Sequence, residues 1–287
     1  MSTGARVADV AYTRYDGERS GRPAAIWSLA RWSALRALGA RRGWRAKLIP
    51  ILLTMIALTP ALVVLGLRAL FSGASFTNDL NIAYARYSTI TAIVILVFSV
   101  VITPELVCSD RRDRTLSLYF STSISRLDYV LAKLLGALLP LLLVTLVPLL
   151  VLYAGNLLFA VHPLGYLQAH AGDLLRIIGG GLVIACFYGV VGLAVASLTG
   201  RRAFAVGGYL AFLVIPTIIG GVLGDALNER YVRLLAVAAV PIRAARDLYP
   251  GFTDPSNIGA GLWNLTAVGL IAAGLAVLAL RYRQDEG

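Results

Sequence analysis

Six apolar runs dominate this sequence, and they restrict the chain to folds that are built in lipid. About 20 apolar residues cross the hydrocarbon core as a helix, and only helices or closed barrels satisfy the backbone polar groups there. The runs are too continuous for the alternating strands of a barrel. Their predicted bounds are 48–67, 90–102 (extended back to about Tyr84), 134–153, 177–198, 203–223 and 262–280. The sequence therefore predicts an all-α integral membrane protein with six transmembrane helices.

The composition excludes a soluble enzyme as well. Of the 287 residues, 58% are hydrophobic and 14% are charged, whereas an average soluble domain carries roughly 25% charged residues. A soluble protein of this length could not bury so much apolar surface. The formal net charge is +11, but the basic residues cluster at the ends of the apolar runs. This placement favours lipid headgroups over nucleic acid as their partner.

The distribution of basic residues predicts the orientation of the chain. With the N-terminus in the cytoplasm, 19 basic residues lie on the cytoplasmic side and 7 on the outer side, as the positive-inside rule requires. Both termini are therefore predicted to be cytoplasmic, in a bacterial inner membrane. The predicted parts are a cytoplasmic N-terminal segment 1–47, a transmembrane domain 48–280 and a cytoplasmic tail 281–287.

The N-terminal segment contains a predicted interfacial helix, 24–47, that is rich in Arg and Trp. Trp27, Trp32 and Trp44 suit the headgroup zone, and the arginines suit anionic membrane lipid. Its apolar face is not clean, so a membrane-proximal helix that only anchors the chain is the alternative.

The outer segment 224–261, before the last span, contains a further apolar stretch, Leu234–Ile242. Nine residues are too few to cross the membrane, so the sequence predicts short re-entrant or interfacial helices here.

The cytoplasmic loop 103–133, between the second and third spans, is the most informative segment. Its first residues, 103–105 (Thr-Pro-Glu), form a helix-start signal and predict a break or kink in the second span. Ser125 and Asp128 form a capping-box-like pair, which predicts the start of the helix that enters the third span.

Charged and apolar residues alternate in blocks along the middle of this loop. A charged cluster, 110–114, precedes a patch that contains Leu116, Leu118 and Tyr119. This mixture suits docking into a groove on a soluble partner, whereas a solvated loop held in water by its charges is the alternative. Glu105 also has two interpretations: a charge switch paired with an arginine of the N-terminal helix or loop, or a helix-start carboxylate that faces the cytoplasm.

One order of residues in the loop is distinctive: acidic-Arg-x-x-Arg-Thr-Leu, an apolar stretch, then Ile-Ser-Arg-x-x-Tyr-x-x-x-Lys. The residues that carry it are Asp110, Arg111, Arg114, Thr115, Leu116, Ile124, Ser125, Arg126, Tyr129 and Lys133. This pattern resembles the corresponding loop of type-2 ABC transporter permeases, and the six-span layout agrees with that family. The front end, 12–19, is similar to the N-terminal segment of some bacterial members. Family loops usually have Pro ahead of Ile/Val-Ser-Arg, where this chain has Ser123.

The resemblance implies a permease that pairs with a second permease, the same or homologous, and with two copies of a cytoplasmic ABC ATPase. ATP and magnesium would bind in that ATPase, with no cofactor in this chain. The residues implied to dock the ATPase are Asp110, Arg111, Arg112, Asp113, Arg114, Thr115, Leu116, Leu118, Tyr119 and Arg126. Arg201 and Arg202, in the short loop after the fourth span, are the candidates for a second docking contact.

No P-loop, Gly-x-Ser-x-Gly elbow or His-Glu-x-x-His motif occurs in the sequence. ATP hydrolysis is therefore expected in a partner subunit and no catalytic residue in this chain. The predicted function is the permease of an ATP-driven exporter, with an amphiphilic or lipid-like cargo suggested by the hydroxyl groups scattered along the spans. The alternatives are a non-transporting anchor for a cytoplasmic ATPase complex and an intramembrane enzyme that modifies lipid. The enzyme would need paired carboxylates or a His cluster, and neither is evident in the sequence.

Overall fold

A computed structural model of the chain describes residues 21–40, 43–70, 80–112, 125–160, 162–250 and 258–284. Within these ranges the backbone forms helices joined by turns and contains no strand. The α-helices are α1 Arg22–Ala37, α2 Trp44–Leu70, α3 Leu80–Ile90, α4 Ala92–Arg112, α5 Arg126–Thr145, α6 Val147–Leu158, α7 Pro163–Ala169, α8 Ala171–Ser197, α9 Arg202–Ala226, α10 Val240–Arg246 and α11 Ala260–Gln284. A 3₁₀ helix, Arg230–Leu235, lies between α9 and α10.

Six of the described helices are long and apolar enough to cross a membrane. Their spanning stretches are Trp44–Leu70, Ala92–Asp110, Arg126–Thr145, Ala171–Ser197, Arg202–Ala226 and Gly261–Tyr282. The predicted all-α fold with six spans is therefore confirmed. We refer to the end of the bundle where α4 finishes and α5 begins as the loop end, and to the opposite end as the far end.

The second and third spans each continue into a second helix at the far end. Thr91 separates α3 from α4, but its amide donates to the Tyr87 carbonyl and its carbonyl accepts from the Ile95 amide, both at 3.0 Å. Leu146 separates α5 from α6 in the same way, ahead of Pro148 in the first turn of α6. Helical hydrogen bonding therefore passes through both breaks, and each pair of helices acts as one long rod.

The break predicted at residues 103–105 is wrong, whereas a kink there stays a prediction. The structure has α4 unbroken from Ala92 to Arg112, with Pro104 inside it. Proline removes one backbone hydrogen bond, but residues 103–105 are all buried against neighbouring helices. Tertiary packing here outweighs a local helix-start signal.

The centre of the bundle is α8, which is mostly buried and contacts α4, α5, α10 and α11. In contrast, α2, α9 and α11 bury few of their spanning residues. Large apolar side chains lie on these exposed faces, such as Leu62 on α2, Ile218 on α9 and Val268 on α11. Faces of this kind are stable only against lipid or another apolar surface.

Three helices meet closely at Gly192 in α8. A Cβ atom there would lie 2.7 Å from Thr103 Cγ2 on α4 and 2.9 Å from the Tyr209 ring on α9. The Tyr209 hydroxyl also donates to the Tyr188 carbonyl at 2.8 Å. The absence of a side chain at position 192 is therefore what lets α4, α8 and α9 pack together in the middle of the bundle.

The N-terminal helix is shorter than predicted. A single helix over 24–47 is wrong, because α1 ends at Ala37 and α2 already begins at Trp44. Gly39 adopts a φ angle of 81°, a conformation that ends helices and that residues with a side chain rarely adopt. A Cβ atom at Gly39 would also lie 2.8 Å from the Ala46 carbonyl oxygen. Trp44 therefore belongs to the first spanning helix.

Short helices do precede the last span, where Leu234–Ile242 was expected to form one. The structure divides this region into the 3₁₀ helix Arg230–Leu235 and α10. The 3₁₀ helix packs on α9, and α10 packs between α8 and α11 with Val240 and Ala244 fully buried. The segment is therefore an integral part of the far end of the bundle.

Candidate functional site

The loop end contains a buried carboxylate, Asp110, near the end of α4. One of its oxygens lies 2.6 Å from Lys133 Nζ and accepts a hydrogen bond from the Tyr129 hydroxyl at 3.0 Å. The other oxygen accepts a hydrogen bond from the Arg36 guanidinium at 3.1 Å. Asp110 therefore joins α4 to α5 and to α1.

Lys133 is as deeply buried as the carboxylate that it faces, with a side chain only 4% exposed. Its ammonium also donates to Ser33 Oγ at 3.0 Å and lies 5.5 Å from the centre of the Tyr129 ring. A buried charge is tolerated only when it is paired and hydrogen-bonded. These contacts meet that requirement, and removal of any one of them would leave a charge poorly compensated.

A second ion pair fastens α1 to the start of α5. Arg22 donates two hydrogen bonds to the Asp128 carboxylate, both at 2.8 Å. The Ser125 amide donates to Asp128 at 3.0 Å, and the Asp128 amide donates to Ser125 Oγ at 3.3 Å. The predicted capping box is therefore confirmed, and its carboxylate also binds the N-terminal helix. We refer to Arg22, Arg36, Asp110, Asp128 and Lys133 as the loop-end network.

Helix α11 joins the same end of the bundle. Arg126 donates to the Tyr282 carbonyl at 3.3 Å, and the rings of Tyr129 and Tyr282 lie 5.4 Å apart. Close backbone packing supports the network from the other side, since a Cβ at Gly136 of α5 would lie 3.0 Å from Ser33 Cβ of α1. The segments on both sides of the loop are thus held in one rigid group with α1 and α11.

Glu105 is paired with Arg202, which links α4 to the first turn of α9. Arg202 Nη1 lies 2.8 Å from Glu105 Oε2. The Glu105 side chain is 6% exposed, whereas that of Arg202 is 52% exposed. The residue proposed as a switch and a residue proposed for a second docking contact therefore meet each other at the loop end.

The predicted docking residues are only partly within the described ranges. Asp110 faces the bundle interior, and Arg111 and Arg112 complete the last turn of α4. Arg126 is half-buried at the start of α5, and Arg201 is exposed just before α9. Outside the described residues lie Asp113, Arg114, Thr115, Leu116, Leu118 and Tyr119.

The far end is held by a chain of mostly neutral groups. Arg68, at the end of α2, donates to the Asn156 side-chain oxygen, and the Asn156 amide donates to the Tyr84 hydroxyl at 2.9 Å. The Tyr84 hydroxyl lies 3.4 Å from that of Tyr166 in α7. Burial raises the pKa of the Tyr166 phenol above its ordinary value, so it remains a neutral hydrogen-bonding group. The chain connects α2, α3, α6 and α7.

A pocket of about 300 Å³ opens at the far end between α3, α4, α8, α9 and α10. Its apolar wall includes Ala92, Ile93, Leu96, Ala238, Ala239 and Ile242. Its charged lining residues, within the part of the chain described, are Arg243 and Arg246. Arg246 donates to the Thr89 hydroxyl at 3.2 Å, and the Arg243 guanidinium lies 4.5 Å from the centre of the Trp263 ring.

Several functional contacts were missed by the sequence reasoning. Arg36 was assigned to lipid headgroups, and Lys133 was noted only as part of the loop pattern. Opposite charges near the ends of consecutive spans, at Asp110 and Lys133, were the signal that could have suggested their pairing. The arginine pair of α10 was counted for topology alone, because nothing local shows that its neighbours enclose a pocket.

Comparison with known proteins identifies the family of the chain. A family model described as ABC-2 family transporter protein matches residues 30–283, from α1 to α11. No curated protein matches the chain. The matched range includes Asp110, Lys133, Glu105 and the far-end pocket, so these features lie within the family domain. The chain is a multi-pass membrane protein that belongs to the ABC-2 family of transporter proteins, as an ABC transporter permease.

Proposed function

We propose that this chain is the permease subunit of an ATP-driven exporter, energised by a separate cytoplasmic ATPase that docks on the loop 103–133. Family membership supports the pairing, because ABC-2 permeases generally work with a cytoplasmic ATPase partner. The single observation that supports docking on this loop is the loop-end network. It fastens the two helices that flank the loop to each other, through Asp110 and Lys133, and to α1.

The loop-end network is suited to transmitting a mechanical force from the ATPase to the bundle. A force applied to residues 113–124 enters the bundle through the end of α4 and the start of α5, whose buried ion pair prevents them from sliding apart. The pair Glu105–Arg202 extends the group to α9, and Arg126 extends it to α11. Rigid groups that rock against one another are the usual basis of alternating access.

The proposed assembly contains two permeases, the same or homologous, and two ATPase subunits that hold ATP and magnesium. In this assembly both termini lie on the cytoplasmic side of a bacterial inner membrane, so the loop-end network lies next to the ATPase. In this arrangement α1 lies in the membrane interface, where Trp27 and Trp32, which are 53% and 43% exposed, suit contact with lipid headgroups. The short helices of the outer segment would close the outward gate.

The proposed cargo is amphiphilic or lipid-like. The apolar faces of α2, α9 and α11 would let such a molecule approach from the bilayer, and the buried Tyr188 and the half-buried Thr217 line the far-end pocket. The sequence contains neither the mid-span carboxylates that ion-coupled carriers usually keep nor a motif for lipid chemistry. An ATP-driven permease therefore accounts for more of the chain than an intramembrane enzyme does.

The docking role is tested by replacing Arg112, Asp113 and Arg114 together with Ala. We expect at least a tenfold weaker association with the ATPase, about 1.4 kcal/mol, because truncated interface charges leave their partners desolvated. The measurement is the affinity of the purified permease for its ATPase, together with cargo-stimulated ATP hydrolysis in proteoliposomes.

The matched control is the double variant Glu229→Ala with Arg230→Ala, which removes charges from the exposed far end and should leave the affinity unchanged. Unchanged affinity and unchanged stimulation in the loop variant would refute the docking site. A wild-type complex that binds the ATPase but never moves cargo would instead favour the non-transporting anchor.

A further inference from the structure

We propose that the exposed face of α1 and the first turn of α2 bind anionic phospholipid headgroups through Arg31, Arg45 and Lys47, and that the bound lipid holds α1 in place. This inference rests on the proposed function, which puts the loop end on the cytoplasmic side of the membrane. It goes beyond that function because it names a lipid class that stabilises the loop-end network from outside.

The arginines of α1 divide into two sets. Arg22 and Arg36 are engaged with the carboxylates of Asp128 and Asp110, so their charges are used within the protein. Arg31 is exposed and has no hydrogen bond or ion pair within the described residues. The composition of the segment assigns its arginines to lipid alike, whereas the contacts leave Arg31 as the one in α1 that is available for a headgroup.

The turn between α1 and α2 brings two more cations to the same region. Gly39, with its positive φ angle, lies so close to Ala46 that a Cβ atom at position 39 would be 2.8 Å from the Ala46 carbonyl oxygen. Arg45 and Lys47, on either side of Ala46 in the chain, are therefore next to the end of α1. Both are exposed, and neither has a hydrogen bond or ion pair in the part of the chain that the structure describes. We refer to Arg31, Arg45 and Lys47 as the basic strip.

No carboxylate in the same segment offsets the basic strip, since residues 21–47 contain neither Asp nor Glu. Asp110 and Asp128, which face α1 from α4 and α5, are already paired with other cations. Basic residues next to a membrane attract its anionic lipids, and this attraction falls off within a Debye length. An anionic headgroup is therefore the expected partner, whereas a zwitterionic headgroup would gain little from the strip.

The surroundings of the basic strip favour lipid over a protein partner. Trp27 is 53% exposed and lies four residues before Arg31, on the same face of α1. Trp44, in the first turn of α2, is 69% exposed, and tryptophan is enriched where hydrocarbon meets headgroups. The exposed apolar residues of α2 begin with Leu48, directly after Lys47. The cations thus lie at the boundary of the lipid-facing surface, where long basic side chains reach headgroups.

Lipid bound on this face would act on the loop-end network through α1. The buried face of α1 packs on α5, where a Cβ atom at Gly136 would lie 3.2 Å from the Ala30 carbonyl oxygen, and Ser33 Oγ accepts from Lys133 Nζ. A ligand that binds only the folded arrangement stabilises it by mass action. Anionic lipid should therefore raise the unfolding midpoint of the permease and keep α1 packed on the two helices that flank the loop.

The test uses the full permease in nanodiscs, without the ATPase. Matched discs of phosphatidylcholine contain either brominated phosphatidylglycerol or brominated phosphatidylcholine, and quenching of tryptophan fluorescence reports which lipid lies beside the exposed tryptophans. We expect phosphatidylglycerol to be preferred about fivefold or more, with a smaller preference at high salt. Phosphatidylglycerol should also raise the midpoint of thermal unfolding. Equal quenching by the two lipids would overturn the site, and preferential binding without a higher midpoint would overturn its role in holding α1.

Variants locate the site. We expect the triple variant Arg31→Gln, Arg45→Gln and Lys47→Gln to lose the preference for phosphatidylglycerol and its effect on the midpoint. Its midpoint in pure phosphatidylcholine should match that of the wild type, because exposed residues without partners contribute little to stability. The double variant Arg31→Lys with Arg45→Lys keeps the charge and should retain the preference. Arg86→Gln, which removes an exposed arginine of α3 at the far end, should leave the preference unchanged.

A folded triple variant that keeps the lipid preference would contradict the inference. A weaker affinity of that variant for the ATPase would then assign the basic strip to the protein partner. Loss of the preference in the charge-conserving double variant would contradict recognition by charge. Because the lipid measurements contain no ATPase, their failure is distinct from a failure of ATP-driven transport.

Discussion

Arginine meets different partners at the two ends of this bundle. At the loop end, among the described residues, arginines reach across the fold to carboxylates on other helices: Arg22 to Asp128, Arg36 to Asp110 and Arg202 to Glu105. At the far end the described ion pairs are local, between Arg176 and Asp173 in one helix and between Arg233 and Asp225, eight residues apart. Long-range contacts of arginine with neutral groups also occur there: Arg68 with Asn156, Arg246 with Thr89 and Arg243 with Trp263.

The difference indicates how each end works. Hydrogen bonds to charged partners contribute about 1.5–3 kcal/mol each, whereas neutral ones contribute about 0.5–1.5 kcal/mol. Charged pairs between helices at the loop end resist relative movement, which suits a segment that transmits a stroke. The neutral pairs of the far end, such as Asn156 with Tyr84, are weaker and would be cheaper to exchange.

The largest expected effect tests the rigidity of the loop end. Asp110→Asn leaves the Lys133 ammonium buried without its counter-charge and should destabilise the fold by about 3–5 kcal/mol. The measurement is the midpoint of thermal unfolding of the purified permease. Asp110→Asn combined with Lys133→Met should recover much of the loss, because the one partner that keeps its charge, Arg36, is 41% exposed and no isolated buried charge remains.

A more exposed pair, at the far end, provides the control. Asp225→Asn removes a partner that is 75% exposed from Arg233, which is 31% exposed, so its cost should be only about 0.2–1 kcal/mol. If Asp110→Asn costs no more than Asp225→Asn, the buried network does not hold the helices together and the comparison between the two ends loses its basis.

A smaller effect is expected at the far end. Tyr84→Phe removes the hydroxyl that accepts from the Asn156 amide at 2.9 Å, in a site where both side chains are buried. The unsatisfied amide should cost about 1–3 kcal/mol, less than the loss of Asp110. Tyr231→Phe, at an exposed tyrosine of the same end, should leave the unfolding midpoint unchanged. A cost for Tyr84→Phe above that for Asp110→Asn would reverse the ranking of the two ends.

The six-span architecture could be predicted from the sequence because each span is a continuous run of about 20 apolar residues. The six spans and the capping box of Ser125 and Asp128 were both predicted, since each depends on residues close together in the chain. The break predicted at residues 103–105 and the single helix predicted over 24–47 were wrong because each was inferred from nearby residues alone. A local start signal was overridden by packing around Pro104, and a glycine with positive φ at position 39 ended a helix that its composition favoured.

The site was less accessible because its contacts are long-range. Asp110 was predicted to face a partner, but it is buried by Lys133, Tyr129 and Arg36, and only the fold brings Arg36 to it. The pocket beside Arg243 is formed by five helices, none of which carries a local signal for it. Six of the residues predicted to dock the ATPase lie outside the described residues, so their role stays a prediction: Asp113, Arg114, Thr115, Leu116, Leu118 and Tyr119.

The central claim is that a separate ATPase drives this permease through its loop end. The most direct measurement is cargo movement in proteoliposomes that contain the permease with its ATPase, with or without ATP. A fluorescently labelled amphiphile serves as the cargo probe. The account predicts movement only when the ATPase and hydrolysable ATP are both present, with a large decrease in the Arg112, Asp113 and Arg114 variant. Undiminished movement by the permease alone would contradict it.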